Sequence, residues 1–91
     1  MAEMIVEIVS LEQAVWNGTA RMVRVRTSEG DIGILPGHEA VAGILKPGDF
    51  AVDPVDGSRV EGTIDSGFVF VDNDRVTIVA DNVELSGAAA A

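Results

Sequence analysis

The 91-residue sequence contains no cysteine and no tyrosine, one histidine, one tryptophan and three prolines. Without cysteine, neither disulfides nor thiolate metal sites are available. One histidine alone gives a transition-metal centre no ligand set to draw on. Long apolar runs are missing too, since none approaches the about 20 residues a membrane-spanning helix needs. The start, Met1-Ala2-Glu3-Met4, lacks the positive segment of a secretory signal. These absences predict a soluble, cytoplasmic protein. Bases are scarce as well: six Lys and Arg face fifteen Asp and Glu, for a net charge of −9. Nucleic acids and anionic membranes are bound by neutralising phosphate with Lys and Arg, so this balance repels both. Helical periodicity over three turns is found nowhere.

Apolar residues, by contrast, are plentiful, at 47% with a mean hydropathy of +0.29. A chain of this size buries only about 60–65% of the surface its unfolded form exposes. Some apolar surface is therefore expected to remain for a partner.

The pattern along the chain is that of strands and turns. From Met4 to Ser10, Met4, Val6 and Ile8 alternate with Ile5, Glu7 and Val9. Leu11-Glu12-Gln13 is a polar break, and Ala14-Val15-Trp16 leads into Asn17-Gly18, a hairpin-turn pair. Thr19 to Thr27 then returns with Val23 and Val25 facing inwards and Arg24 and Arg26 outwards. Arg21, Arg24 and Arg26 are expected to solubilise this strand and pair with acids. Glu39 to Leu45 is apolar on both faces, as befits a doubly buried strand or one capped by a partner. Further strands are expected from Phe50 to Val55 (interrupted at Pro54, so at an edge or ending early), Ser58 to Asp65, Phe68 to Val71, Arg75 to Ala80 and Val83 to Leu85. Their turns fall at Lys46-Pro47-Gly48-Asp49, Asp56-Gly57, Asp72-Asn73-Asp74 and Asp81-Asn82. About ten short strands with frequent turns make an all-β sandwich or barrel. Residues 1–86 form one domain, and 87–91 are expected to be a frayed alanine-rich tail.

The chemistry on offer is sparse. His38 is the only side chain with an unperturbed pKa near neutrality. No nucleophile motif accompanies it. Asp72 and Asp74 read as turn residues, and Asp72-Asn73-Asp74 lacks the downstream Gly and Glu of a calcium loop. No glycine cluster precedes a helix to cradle phosphate. No catalytic residue, cofactor site or metal site is expected. Lys46, the only lysine, sits at a turn and invites a second reading, a β-sandwich carrier domain modified there. Pro47 follows it directly, and the acidic or methionine neighbours of carrier turns are missing.

The densest stretch is Glu29-Gly30-Asp31-Ile32-Gly33-Ile34-Leu35-Pro36-Gly37-His38. It reads as turn, buried strand, turn. Gly30 supplies a positive φ, Pro36-Gly37 makes a second reversal, and Gly33 suggests a bulge or a close backbone approach. This segment resembles the one typical of the epsilon subunit of bacterial F-type ATP synthases. Glu7-Ile8-Val9-Ser10, Val15-Trp16-Asn17-Gly18-Thr19-Ala20, Gly67-Phe68-Val69-Phe70-Val71 and Val76-Thr77-Ile78-Val79-Ala80-Asp81 resemble further family segments in the same order. Ala40 and Ser66 depart from a common proline and a common glycine. The resemblance implies a ten-stranded, two-sheet β-sandwich, a flattened barrel without a helical domain. It also implies a non-catalytic central-stalk subunit that couples the gamma subunit to the c ring on the cytoplasmic face of the plasma membrane. By the same resemblance, Glu29, Gly30 and Asp31 would face the c ring, and Ser10, His38, Val41 and Gly43 the gamma subunit. The carboxy-terminal helical hairpin usual in the family has no counterpart in the 91 residues. A naturally short form without inhibitory activity is therefore expected.

Overall fold

A computed structural model of the chain describes residues 3–11 and 13–86. Nine strands run through it: β1 (Met4–Ser10), β2 (Ala14–Thr27), β3 (Gly30–Ile34), β4 (Val41–Leu45), β5 (Gly48–Pro54), β6 (Val60–Ile64), β7 (Gly67–Asp72), β8 (Arg75–Ala80) and β9 (Val83–Ser86). Helices are absent from the described residues. Period-two alternation has the expected effect. Met4, Val6 and Ile8 are buried while Ile5 and Glu7 are exposed, and Val60, Gly62 and Ile64 are buried between exposed Glu61 and Thr63.

Pairing runs β1-β8-β7-β4-β2-β5-β6-β9, with β3 added to β2 and a further β1–β2 pairing that closes the ring. β2 makes this possible because it serves both layers of the sandwich. Its first half, Ala14 to Ala20, pairs with β1, and its second half pairs with β3 and β5. One layer is thus β1-β8-β7-β4, and the other is β3-β2-β5-β6-β9. Between them lies a core of Met4, Val6, Ile8, Val23, Val25, Ile34, Leu45, Phe50, Val52, Val69, Val76 and Ile78. All pairings are antiparallel except β1 with β8.

Two local expectations are corrected. Asn17-Gly18 makes no turn. It lies in mid-strand, Asn17 opposite Glu7 and Gly18 opposite Val6, which merges two expected strands into one and leaves nine in place of ten. The six-membered ring of Trp16 lies over Gly18, where a Cβ would come within 3.0 Å of it, so the glycine serves close packing on one strand face. The reversal falls earlier, where the Ser10 amide and hydroxyl both donate to the Gln13 carbonyl, at 2.8 and 3.2 Å. Gly33, secondly, sits in regular register opposite Arg24 with open space where its side chain would be. It marks neither a bulge nor a close approach. The expected tail at 87–91 lies outside the described residues.

Other turns follow the sequence. Asn73 and Asp74 both take positive φ, 50° and 59°, the type I′ geometry that matches strand twist in a two-residue hairpin. β5 ends at Pro54, which has no N–H to give a ladder. At Gly62 and Gly67, a Cβ would collide with the carbonyls of Glu84 and Val79 on neighbouring strands. Gly62→Ala and Gly67→Ala are each expected to cost about 1–3 kcal/mol of stability through overpacking, measurable by urea unfolding. Gly33→Ala, with free space around it, should change the midpoint little.

Candidate interaction surface

The stretch from Glu29 to His38 folds as a hairpin turn, the strand β3 and a second corner. At the first turn, the Thr27 hydroxyl accepts from the Glu29 amide at 3.1 Å and donates to the Gly30 carbonyl at 2.8 Å. Gly30 has φ 118°, which its missing side chain allows. Glu29, Gly30 and Asp31 are all exposed. Their side chains differ in freedom, however. Asp31 sits opposite Arg26 in the ladder and accepts from its Nε at 3.1 Å, each side chain about half exposed (50% and 51%). Glu29 has no ion-pair partner among the described residues. Of this acidic corner, Glu29 is the side chain left to meet another molecule.

At the second corner the His38 amide donates to the Leu35 carbonyl at 3.0 Å, and Gly37 has φ 88°. Pro at the second position and a positive-φ glycine at the third make this a type II turn. The Gly37 amide donates to the Asp74 carboxylate at 2.7 Å, 37 residues away in the chain. The half-buried His38 ring has its Nδ1 2.7 Å from the Glu39 carbonyl oxygen. Among the described residues no nucleophile or acid is hydrogen-bonded to the imidazole. Nor is any group of three or more His, Asp or Glu among them placed to hold a metal ion.

The residues nominated from sequence do not all gather in one place. Glu29, Val41 and Gly43 line a single cleft of about 350 Å³ between the β2–β3 turn and β4, together with Thr27, Ile32 and Val69. Val41 and Gly43 pair with the buried Val71 and Val69, so they face that cleft and the core side. Ser10 is remote from them. It pairs with Ala80, whereas Val41 is in the row of Val71, Val76 and Val6. Four ladder positions along and three strands across amount to roughly 20 Å.

On the outer face of the β1-β8-β7-β4 layer, the sequence points only to β4, within the doubly apolar run from Glu39 to Leu45. Ala42 and Ile44 on β4 stand opposite Phe70 and Phe68 on β7, which stand opposite Thr77 and Val79 on β8. Ile44, Phe68 and Phe70 are 57, 51 and 46% exposed, and the two phenyl rings stack at 6.3 Å between centroids. Contiguous exposed apolar surface of this kind on a small domain marks an interaction site. The signal was present: Phe68-Val69-Phe70-Val71 and Val41-Ala42-Gly43-Ile44-Leu45 are apolar at successive positions, so neither can bury both faces in one core.

Comparison with known proteins agrees on one family. The model described as ATP synthase, Delta/Epsilon chain, beta-sandwich domain, matches residues 3–86. The ATP synthase epsilon chain of Micrococcus luteus is 47% identical over 91 residues, covering 100% of both chains. That of Rhodococcus erythropolis is 44% identical over 87 residues, 94% of this chain and 71% of the relative. Among solved structures, a chain of the Euglena gracilis mitochondrial ATP synthase (OSCP/F1/c-ring) superposes with a TM-score of 0.86 at 25% identity. That match covers 93% of this chain and 54% of the other, so this chain spans about half its length. A chain from the central stalk/c-ring of the Tetrahymena thermophila mitochondrial ATP synthase shares the fold, with a TM-score of 0.75 at 16% identity, over 89% of this chain and 65% of that one. These matches lend no support to a carrier modified at Lys46.

Because the Arg26–Asp31 pair is half exposed, its contribution to stability is small. Asp31→Asn is expected to shift the unfolding free energy by less than about 1 kcal/mol in chemical denaturation.

Proposed function

Since this chain belongs to the delta/epsilon family of ATP synthase subunits, we propose that it is the epsilon subunit of a bacterial F-type ATP synthase. It is a non-catalytic subunit of the rotor stalk, and it joins the gamma subunit to the c ring so that the two turn together. The observation that carries this reading is the family match, which takes in every strand of the fold from residue 3 to residue 86.

The physical character of the domain suits the role. A coupler must transmit torque without yielding, and a closed pairing ring with short corners has few soft directions. The complex it belongs to is membrane-associated, while no helix among the described residues is long and apolar enough to cross a membrane. The subunit docks to the rotor from the cytoplasmic face. Glu29, beside Gly30 and Asp31, presents the free negative charge to polar loops of the c ring. The gamma subunit covers the layer that carries Ser10, Val41 and Gly43, together with the corner at His38. The apolar outer face at Ile44, Phe68 and Phe70 belongs to the same layer. An interface core of this kind, with stacked aromatics and few charges, is what a stable subunit contact uses.

Purification of the tagged chain from detergent-solubilised membranes tests the assignment. Recovery of gamma, the catalytic subunits and the c subunit is expected, and a chain that emerges alone would overturn it. Glu29→Lys is expected to weaken retention on the c ring by about tenfold, the scale of one reversed interfacial charge pair, with an unchanged unfolding midpoint. His38→Ala should leave the ATP hydrolysis chemistry of the catalytic subunits intact. Loss of a hydrolytic activity residing in the isolated chain would contradict the non-catalytic role.

A further inference from the structure

Asp74 occupies the second central position of the type I′ turn between β7 and β8, with φ 59°. Its backbone carbonyl accepts from the Ile5 amide at 2.9 Å, which fixes the turn to β1. Its carboxylate reaches the other way and accepts from the Gly37 amide at 2.7 Å. That distance is in the short range of charge-assisted hydrogen bonds. The connection from Leu35 to Ala40 is otherwise thinly held. Outside the strand ladders, its remaining hydrogen bonds among the described residues are local, from the His38 amide to Leu35 and between the His38 ring and Glu39.

The identity of the donor is informative. Gly37 is the third residue of the type II turn, and a type II turn differs from type I by a flip of the central peptide. That peptide is Pro36–Gly37, and its N–H is the one Asp74 holds. Flipping it would swing the N–H away from the carboxylate and break the bond. Asp74 therefore selects one of two turn geometries and anchors the corner to the sheet. The corner carries Leu35, 55% exposed, and His38.

We propose that Asp74 is a positioning residue for partner binding: it pre-sets the Leu35–His38 corner as a rigid docking element for the gamma subunit. This rests on the assignment of that corner to the gamma interface. Pre-setting removes the ordering entropy that a loose corner would lose on association. In this role the carboxylate acts through the Gly37 amide.

The test uses the full chain bound to F-type catalytic complexes depleted of their own epsilon subunit. Asp74→Gly removes the carboxylate yet leaves an Asn-Gly pair, the most favourable for a type I′ hairpin, so folding is expected to survive. Asp74→Asn keeps an acceptor oxygen and tolerates positive φ. Hydrogen exchange at the Gly37 amide reports the bond directly. Asp74→Gly is expected to speed that exchange and weaken binding by about five- to tenfold, the effect of one lost hydrogen bond of this kind. Asp74→Asn is expected to restore both in large part. If Asp74→Gly frees the Gly37 amide while binding is unchanged, the positioning role is overturned and the subunit assignment stands. If Asp74→Asn protects the amide but binds as poorly as Asp74→Gly, the role is likewise overturned. Failure of the unaltered chain to bind the depleted complex would overturn the subunit assignment itself.

Discussion

The structure depends on one strand being long enough to belong to both layers. β2 runs for 14 residues and pairs with β1, β3, β4 and β5. Cut at its middle, the sandwich would keep only the short junction of β2 with β4 around Thr27 and Leu45 as a ladder between its two sheets. Because backbone hydrogen bonds continue through Ala20, which is fully buried and pairs with both Met4 and Pro54, the layers are one covalent and hydrogen-bonded unit. The core then needs only ordinary aliphatic filling, and its buried side chains are almost all aliphatic, with Phe50 the largest. Thr27, the buried polar residue, satisfies its hydroxyl within the β2–β3 turn.

This continuity also explains which parts of the fold were legible in the sequence. Alternation is a local property, so the inward sets Met4, Val6, Ile8 and Val23, Val25 could be read directly. Turn chemistry was legible where nothing competed with it, at Gly30, Pro36-Gly37, Asp56-Gly57 and Asp72 to Asp74. It failed at Asn17-Gly18, where a tertiary demand prevailed. There the chain must stay extended to pair with Glu7 and Val6, and Trp16 needs a bare neighbour on its own face. Gly33 misled for a related reason, since an exposed strand position opposite Arg24 imposes no steric demand at all.

The candidate surface was legible in part. Glu29 and Asp31 lie where their turn placed them, but the ladder puts Arg26 opposite Asp31, a relation that depends on register and is invisible to a scan of neighbours. The apolar outer face required knowing that β4 and β7 are adjacent, although the whole of β5 and β6 separates them in the chain. Asp74 is the clearest case. In sequence it is one more acid in an acidic turn, and only the topology shows that this turn stands beside the Gly37 corner.

The parallel pairing of β1 with β8 has a consequence for biosynthesis. β1 finds one neighbour, β2, as soon as that strand has been made, but its other edge stays open until residues 75–80 have emerged. For most of translation the nascent chain therefore carries an unpaired strand edge flanked by apolar side chains, the template on which chains associate wrongly. Ring closure is a late, long-range event, of the class that folds in milliseconds to seconds. Acids and bases balance through Ser28, and the surplus of acid builds up from Glu29 onwards, so chains that await their eighth strand carry a common sign of charge, which opposes their association.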